Sequence, residues 1–581
     1  MKRNWLVISL AWLLLLCLLS GCGGVTETES ATESEVESEV PKTTESAPPD
    51  ESESSAETER EDESVAESET EKGTETEIET ESESEAEAEE PAELWEEGGS
   101  VLKLYSKEKK SRAILYRAPD ESFLGDAYTV ELSLDGETWY PLDVWTAKVA
   151  VQVFGGIYEN YITYFVNFDF DGEALLRVTP QKAGAVEIRP AGWVKATADG
   201  GATVIRVDEA CRFSFEVDGD IYGNLQVFAN PIEEIDKNDP QVIYLEAGLY
   251  TAENCDLIEY AVTKENGVTI YTPELHVPTG KTLYLSGGAV VRARVVVKDC
   301  EHAAVKGRGV LDLLPWNREN NLRASEDWAY PNGFRVENSQ NITLEGIIVR
   351  NSLGYSIYAG NTNGLVVDNI KAISAAQWSD GFDSMATSNV VIKNCFFRTN
   401  DDCIAIYGSR WNNKGDSRNY EVYDCILWAD NAHAINMGNH GSNLASDPDV
   451  IENIWFHDIE ILEVHSINWT GAFSVMCGGE NILRNVTVER VNAEFSQSDL
   501  IRLRFVRDSE HYGTVIENFT FRDIYFEPKG VQEVGVYLQG QSKARPVKGV
   551  TFENVWIGNQ KITATSPMLH KNLYVSGLTF R

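Results

Sequence analysis

Residues 377–408 read QWSDGFDSMATSNVVIKNCFFRTNDDCIAIYG. Inside this stretch, Asn389-Val-Val-Ile-Lys-Asn-Cys is a small polar residue, an alternating β-branched run, a second polar residue and an apolar one. The same unit returns at Asn341-Ile-Thr-Leu-Glu-Gly-Ile, Asn419-Tyr-Glu-Val-Tyr-Asp-Cys, Asn453-Ile-Trp-Phe-His-Asp-Ile and Asn518-Phe-Thr-Phe-Arg-Asp-Ile. Its closing position falls at Gly346, Asn369, Asn394, Asp424, Asp458, Asn485, Asp523 and Asn554, in steps from the low twenties into the thirties. Short strands linked by polar turns at such a period are the mark of a solenoid. The architecture expected is all-β, a parallel β-helix whose coils bury one continuous apolar core. The recurring Asn and Asp should stack at a bend and satisfy turn backbone groups. A β-propeller would need a longer blade repeat with Trp-Asp or Gly-His signals, and these are missing.

Outward from the repeats, the solenoid is expected over residues 236–581 and a small β-sandwich over 98–235. The latter shows period-two runs such as Tyr128-Thr-Val-Glu-Leu-Ser-Leu and Thr203-Val-Ile-Arg-Val between turn residues. Residues 23–97 are Glu, Ser, Thr and Ala with few large apolar side chains, and read as a disordered tether. That stretch holds 30 acidic against 3 basic side chains, so it supplies well over half of the net charge of −44. The acidity therefore says little about the substrate. Residues 1–22 combine Lys2 and Arg3, an apolar run too short for a membrane span, and Leu19-Ser20-Gly21-Cys22. This close resembles a bacterial lipobox, which implies lipidation at Cys22 and an extracytoplasmic, membrane-anchored protein. Of nine cysteines, seven lie beyond Cys22, without CxxC pairs or His/Cys clusters. Cys395 and Cys425 occupy equivalent places in successive repeats and are expected to stack as thiols.

Asp380 and Asp401 are 21 residues apart, about one coil, and Asp402 follows directly. One coil rises by about 4.8 Å, so the three acids should crowd together and raise at least one pKa. Glycoside hydrolysis needs such a set: one carboxyl protonated as acid, others ionised to activate water. Strict strand alternation would turn one of Asp401 and Asp402 inward, so the pair must sit at a strand entry. Asp383 reads as a supporting or turn residue.

Ser-Asp-Gly-Phe-Asp at 379–383, Asn-Asp-Asp-Cys-Ile-Ala-Ile at 400–406 and Ala-His-Ala-Ile-Asn-Met-Gly at 432–438 resemble three signatures of the family 28 polygalacturonases. The layout is also similar to the family 49 dextranases, which carry a β-sandwich ahead of a β-helix. The resemblance implies a right-handed parallel β-helix and an inverting hydrolase, with Asp401 as general acid and Asp380 and Asp402 activating water. It implies that His433 sets the protonation state of the acid, although both of its flanking glycines are alanines here. Arg502 and Arg504 are the nearest match to the basic residues that grip substrate in these families. Two apart on a strand, they should face one side. Trp378 and Trp411 are expected to stack on sugar rings and His440 to touch sugar, whereas Trp428 belongs to the core. No cofactor, metal, nucleic acid or obligate oligomer is called for: the partner is a polysaccharide and the protein a monomer. Rival expectations are a calcium-dependent β-helix polysaccharide lyase and a non-catalytic glycan-binding surface lipoprotein. Pectic and neutral α-glucan substrates are both open.

Overall fold

The computed structural model describes residues 99–153, 157–265, 268–313, 332–465, 471–527 and 534–581. The signal segment, Cys22 and the tether lie outside them. From Val242 onward each coil lays down short parallel strands on three faces. The coil around the aspartates shows the pattern: Phe382–Met385, then Ser388–Lys393, then Phe396–Thr399. Strands of the first two faces after each such entry join in one 20-stranded sheet, and the entry strands form a separate 12-stranded sheet. The fold is thus a parallel β-helix, with the right-handed winding that twisted strands favour. Its interior is one apolar column from Leu245 to Ile562, in which Leu365, Val390, Tyr420, Ile454, Val486, Phe519 and Val550 stack coil upon coil.

The turn residues explain why the repeat shows in the sequence. Gly346, Asn369, Asn394, Asp424, Asp458, Asp523 and Asn554 all have φ between 50° and 81°. Only Gly, and to a lesser degree Asn and Asp, adopt this region cheaply. Asn485, however, belongs to the opening position, paired between Asn453 and Asn518. The closing place in that coil is filled by Arg490 (φ 51°). An arginine there hides the period, and its guanidinium takes over the bend by donating from Nε and Nη2 to Asp458 at 2.8 and 2.9 Å. At the opening bend, side-chain amides of Asn419, Asn453, Asn485 and Asn518 each donate to the Asn one coil before, at 2.9–3.4 Å. Cys395 and Cys425 stack as free buried thiols.

Residues 101–231 form two facing sheets of seven and five strands. They are antiparallel except where Leu225–Pro231 runs parallel to Ile157–Asp171. Together with the solenoid they make one compact unit. Outward residues of the third solenoid face, that of Phe396–Thr399, namely Val290, Val310, Ile348, Ile373, Phe396 and Ile426, pack against Phe123, Trp145, Phe165 and Phe228 of the sandwich. Trp428 is buried in the same layer. Arg308, Arg350 and Arg398 cross the junction, donating respectively to Asp169 and Glu233, to Thr146 O, and to Asn224 Oδ1 and Ile221 O.

Candidate active site

The entry strands Ile357–Gly360, Phe382–Met385, Ile404–Tyr407, Ile435–Met437, Gly471–Cys477 and Asp499–Phe505 stack in that order. Phe382 pairs with Ile404 and Ile404 with Ile435, and the Gly381 N–H donates to the Asp402 carbonyl. Asp380, Asp402 and His433 therefore form one column, each two residues ahead of its strand's first pair. The spacing suggests Asp380 over Asp401; strand register sets Asp380 over Asp402 instead, with Asp401 one residue earlier. Asp401 and Asp402 lie between the strands Phe396–Thr399 and Ile404–Tyr407, so alternation is interrupted and both face a cavity outside the core. Thr399 Oγ donates to the Asp401 carbonyl, and Asn400 Nδ2 to Ala375 O, which fixes this turn on the coil before.

One carboxylate oxygen from each of Asp380, Asp401 and Asp402 lies within 4.8 Å of the others. Asp402 is held tightly: Oδ1 meets the His433 backbone N–H (3.1 Å) and Nδ1 (2.5 Å), and Oδ2 accepts from Asn436 Nδ2 (2.8 Å). Asp380 and Asp383 are different. Asp380 Oδ1 and both oxygens of Asp383 are buried and meet no hydrogen-bond donor among the described residues. Burial, then the neighbouring Asp383, Asp401 and Asp402 carboxylates, pushes Asp380 well above the usual carboxylate range. Burial does the same to Asp383, against the pull of Arg410. The two side chains lie against each other, so a proton on either carboxyl serves both. Asp383 is thus more than a turn residue: it stands on a strand, flanked by Tyr358 and Ala405 on the adjacent coils.

A cavity of about 260 Å³ opens over this cluster, and its walls include Trp378, Tyr355, Tyr407, Arg410, His433 and Asn436. Trp378 and Trp411 both have left-handed backbone (φ 61° and 51°), an uncommon state for bulky residues that costs about 1–2 kcal/mol. Trp378 ends 43% exposed at the cavity. Trp411 lies against Tyr358 instead, rings 6.0 Å apart and nearly parallel, and lines a second cavity of about 240 Å³ with Arg410 and His440. His440 packs edge-on to Tyr407 at 5.0 Å, with Nδ1 3.4 Å from Asp508. His433 Nε2 is buried and without a partner among the described residues, in the wall of the first cavity.

Arg502 and Arg504 share one side of their strand, three coils beyond Asp402. Arg502 is buried, with Nε donating to Asp499 Oδ2 (2.5 Å) and its guanidinium 4.6 Å over the Tyr537 ring. Arg504 Nη2 lies 3.1 Å from Met476 Sδ, and Met476 borders the carboxylate cavity. Arg504 Nε has no partner among the described residues. Sequence reasoning missed Tyr355, Tyr407, Arg410 and Asn436. Alternation marks Tyr407 and Asn436, each one residue after a core isoleucine or its equivalent; Arg410 sits in an insertion and carries no such signal. A larger groove, about 630 Å³, lies between the sandwich and the first coils. Its Arg112 and Glu233 are engaged with Asp171 and Arg308, and among the described residues it holds no acid cluster like that at Asp380.

Residues 284–566 match the family model of glycosyl hydrolases family 28. Exopolygalacturonase B of Aspergillus niger is 25% identical over 175 residues, 29% of this chain and 38% of that protein. A probable endo-xylogalacturonan hydrolase A of Aspergillus fumigatus is 26% identical over 249 residues, 41% of this chain and 55% of that one. The chain thus spans between a third and a little over half of these relatives. Among solved structures, Dex49A from Penicillium minioluteum aligns over 81% of this chain and 98% of its own, with TM-score 0.48 and 13% identity. Every side chain described around the two cavities falls inside the matched span, and over that span this chain resembles the family 28 glycosyl hydrolases.

Proposed function

We propose that the chain hydrolyses glycosidic bonds of a polysaccharide, with Asp401 as general acid and Asp380 and Asp402 activating water. The observation that carries this reading is the trio of carboxylate oxygens within 4.8 Å of one another in an open cavity. Asp401 is the half-buried member, the one best placed to reach a leaving oxygen. Asp402 is fixed in place by His433 and Asn436. Asp380, sharing a proton with Asp383, completes the cradle for a water. Inversion follows from these roles: a water oriented by Asp380 gives its proton to Asp402 as it attacks opposite the leaving oxygen, so no covalent bond forms between sugar and enzyme. The carboxyl spacing alone, short of the roughly 6.5–9.5 Å usual for inverting enzymes, favours retention. NMR of the first-formed anomer decides between them.

Trp378 is the sugar platform of the first cavity in this scheme, while Trp411, held between Tyr358 and Arg410, and His440 border sugar in the second cavity. Arg504, with a free buried donor beside Met476, is the stronger candidate for substrate contact than Arg502, which Asp499 already occupies. The substrate is polygalacturonate-like or dextran-like. Reducing-sugar release from both polymers, by the parent and by Arg502→Ala and Arg504→Ala, tests the scheme. A large rise in KM for Arg504→Ala on polygalacturonate alone assigns it to a uronate; release from neither polymer sinks both substrate assignments.

A calcium-dependent lyase is the second reading, because three oxygens at this spacing suit ligands 2.3–2.6 Å from one Ca²⁺. EDTA would abolish that activity and spare the hydrolase. A non-catalytic glycan-binding lipoprotein would instead release no sugar at all. The lipobox-like Leu19-Ser20-Gly21-Cys22 supports a lipid anchor on Cys22 outside the cytoplasm, and Cys22→Ser should then move the protein from the membrane fraction to the medium.

A further inference from the structure

We infer that the hairpin Ser409–Gly415 closes one end of the substrate cleft, so that the enzyme removes sugars from a chain end and does not cut internally. This rests on the hydrolase reading and adds the mode of attack. Outward residues along the entry sheet run Tyr358, Asp383, Ala405, Asn436, Ser474, Arg502, each one coil beyond the last. A polysaccharide lying along the coils over the aspartates would follow this row.

The hairpin leaves the strand Ile404–Tyr407 and doubles back over the two coils before it. Arg410 and Asn413 close it through mutual backbone hydrogen bonds of 3.0 Å. Trp411 stacks on Tyr358, and Asn413 Nδ2 donates to the Tyr358 hydroxyl at 2.6 Å. Lys414 N donates to Asn361 Oδ1 at 3.1 Å, and the Arg410 guanidinium donates to the Tyr355 hydroxyl and lies 4.0 Å from the Trp411 ring. At its base, Ser409 N donates to Asp449 Oδ2 at 2.6 Å. Gly360 leaves room for the crossing: a Cβ there would collide with the Asn413 side-chain amide. A strand glycine at a point of close approach marks a built contact. Tyr358 and Asp383 are thereby buried, and the row is roofed on the side of the earlier coils.

On the other side the row stays equipped for a polar chain. His433 Nε2 and Asn436 Oδ1 on the first coil beyond Asp402, Ser474 Oγ on the second and Arg504 Nε on the third are buried without partners among the described residues. Of this stretch, His433, Asn436 and Met476 line the cavity, where a hydroxyl-rich sugar would meet them. The cavity at the aspartates spans the coils of Tyr355 to Met476, about 19 Å at four coil rises, with Arg410 at its Tyr355 end.

The test is product analysis with the full chain on polygalacturonate and on dextran. The parent should release one small sugar from the first minutes, with slow loss of viscosity per bond cleaved. In Arg410→Ala/Trp411→Ala, internal cuts should appear as mid-length oligomers, and viscosity loss per bond should rise several-fold. A broad ladder of oligomers from the parent at early times would overturn the closed end, whatever the variant does. So would a variant, folded by its melting curve, whose product pattern matches the parent's. Absence of any release from either polymer by the parent would instead overturn the hydrolase reading and this inference with it.

Discussion

Two faces of the solenoid bury carboxylates, and they treat them in opposite ways. Under the sandwich, Asp312 meets Arg350 at 2.9 Å and Arg292 at 3.2 Å; Asp430 meets Arg398 at 3.1 and 3.2 Å and the Trp428 indole at 2.9 Å. On the entry face, Asp383 and Asp380 are as deeply buried, yet Asp383 has no donor and Asp380 Oδ1 none. Burial of acid is therefore no mark of function in this molecule. What separates the faces is whether the acid is satisfied, since an unpaired buried carboxyl is costly and persists where chemistry uses it.

The widest contrast should come from breaking one group on each face. Arg398→Ala strands Asp430 and is expected to cost about 3–5 kcal/mol of stability, read by denaturant unfolding, without changing turnover per folded molecule. Asp380→Asn should do the reverse: stability equal or higher, and sugar release slower by about 10²–10⁴-fold. A smaller effect isolates the shared proton. Because Asp383 is raised in the folded state, it favours folding at low pH, and that contribution is lost as pH rises above the ordinary carboxylate range. Asp383→Asn should thus gain stability over the parent progressively from about pH 4 upward, by about 1.4 kcal/mol per pH unit until Asp383 ionises in the folded parent. Melting curves that stay parallel across pH would show that no proton is held there. The smallest effect lies at the bends: Arg490→Asn removes left-handed strain of about 1 kcal/mol while losing the Asp458 contact, so net stability should move by under about 1 kcal/mol.

That last residue also shows what the sequence could tell. The coils were legible because their bends need φ near +55°, which restricts them to Gly, Asn and Asp and prints a period. Arg490 broke the print and shifted one register assignment to Asn485. The aspartates were legible by spacing, yet the partner of Asp380 was not, because pairing is set by Phe382 and Ile404 and counts 22 residues, one more than the motif suggested. The docking of the sandwich left no trace: Val290, Ile348 and Ile426 look like any strand residues until a second layer covers them. The hairpin at Arg410 was visible only as an insertion, since contacts with coils two turns earlier have no local signature. The unsatisfied state of Asp383 is likewise a property of its surroundings, absent from the string Ser-Asp-Gly-Phe-Asp.

The most direct test of the carboxylate centre is the initial rate of reducing-sugar release by Asp401→Asn beside the parent, on whichever of the two polymers the parent degrades. An amide cannot donate the proton that the leaving oxygen needs, so the rate should fall by about 10²-fold or more. Release at the parent rate would contradict the assignment of Asp401 and, with it, the mechanism proposed for this site.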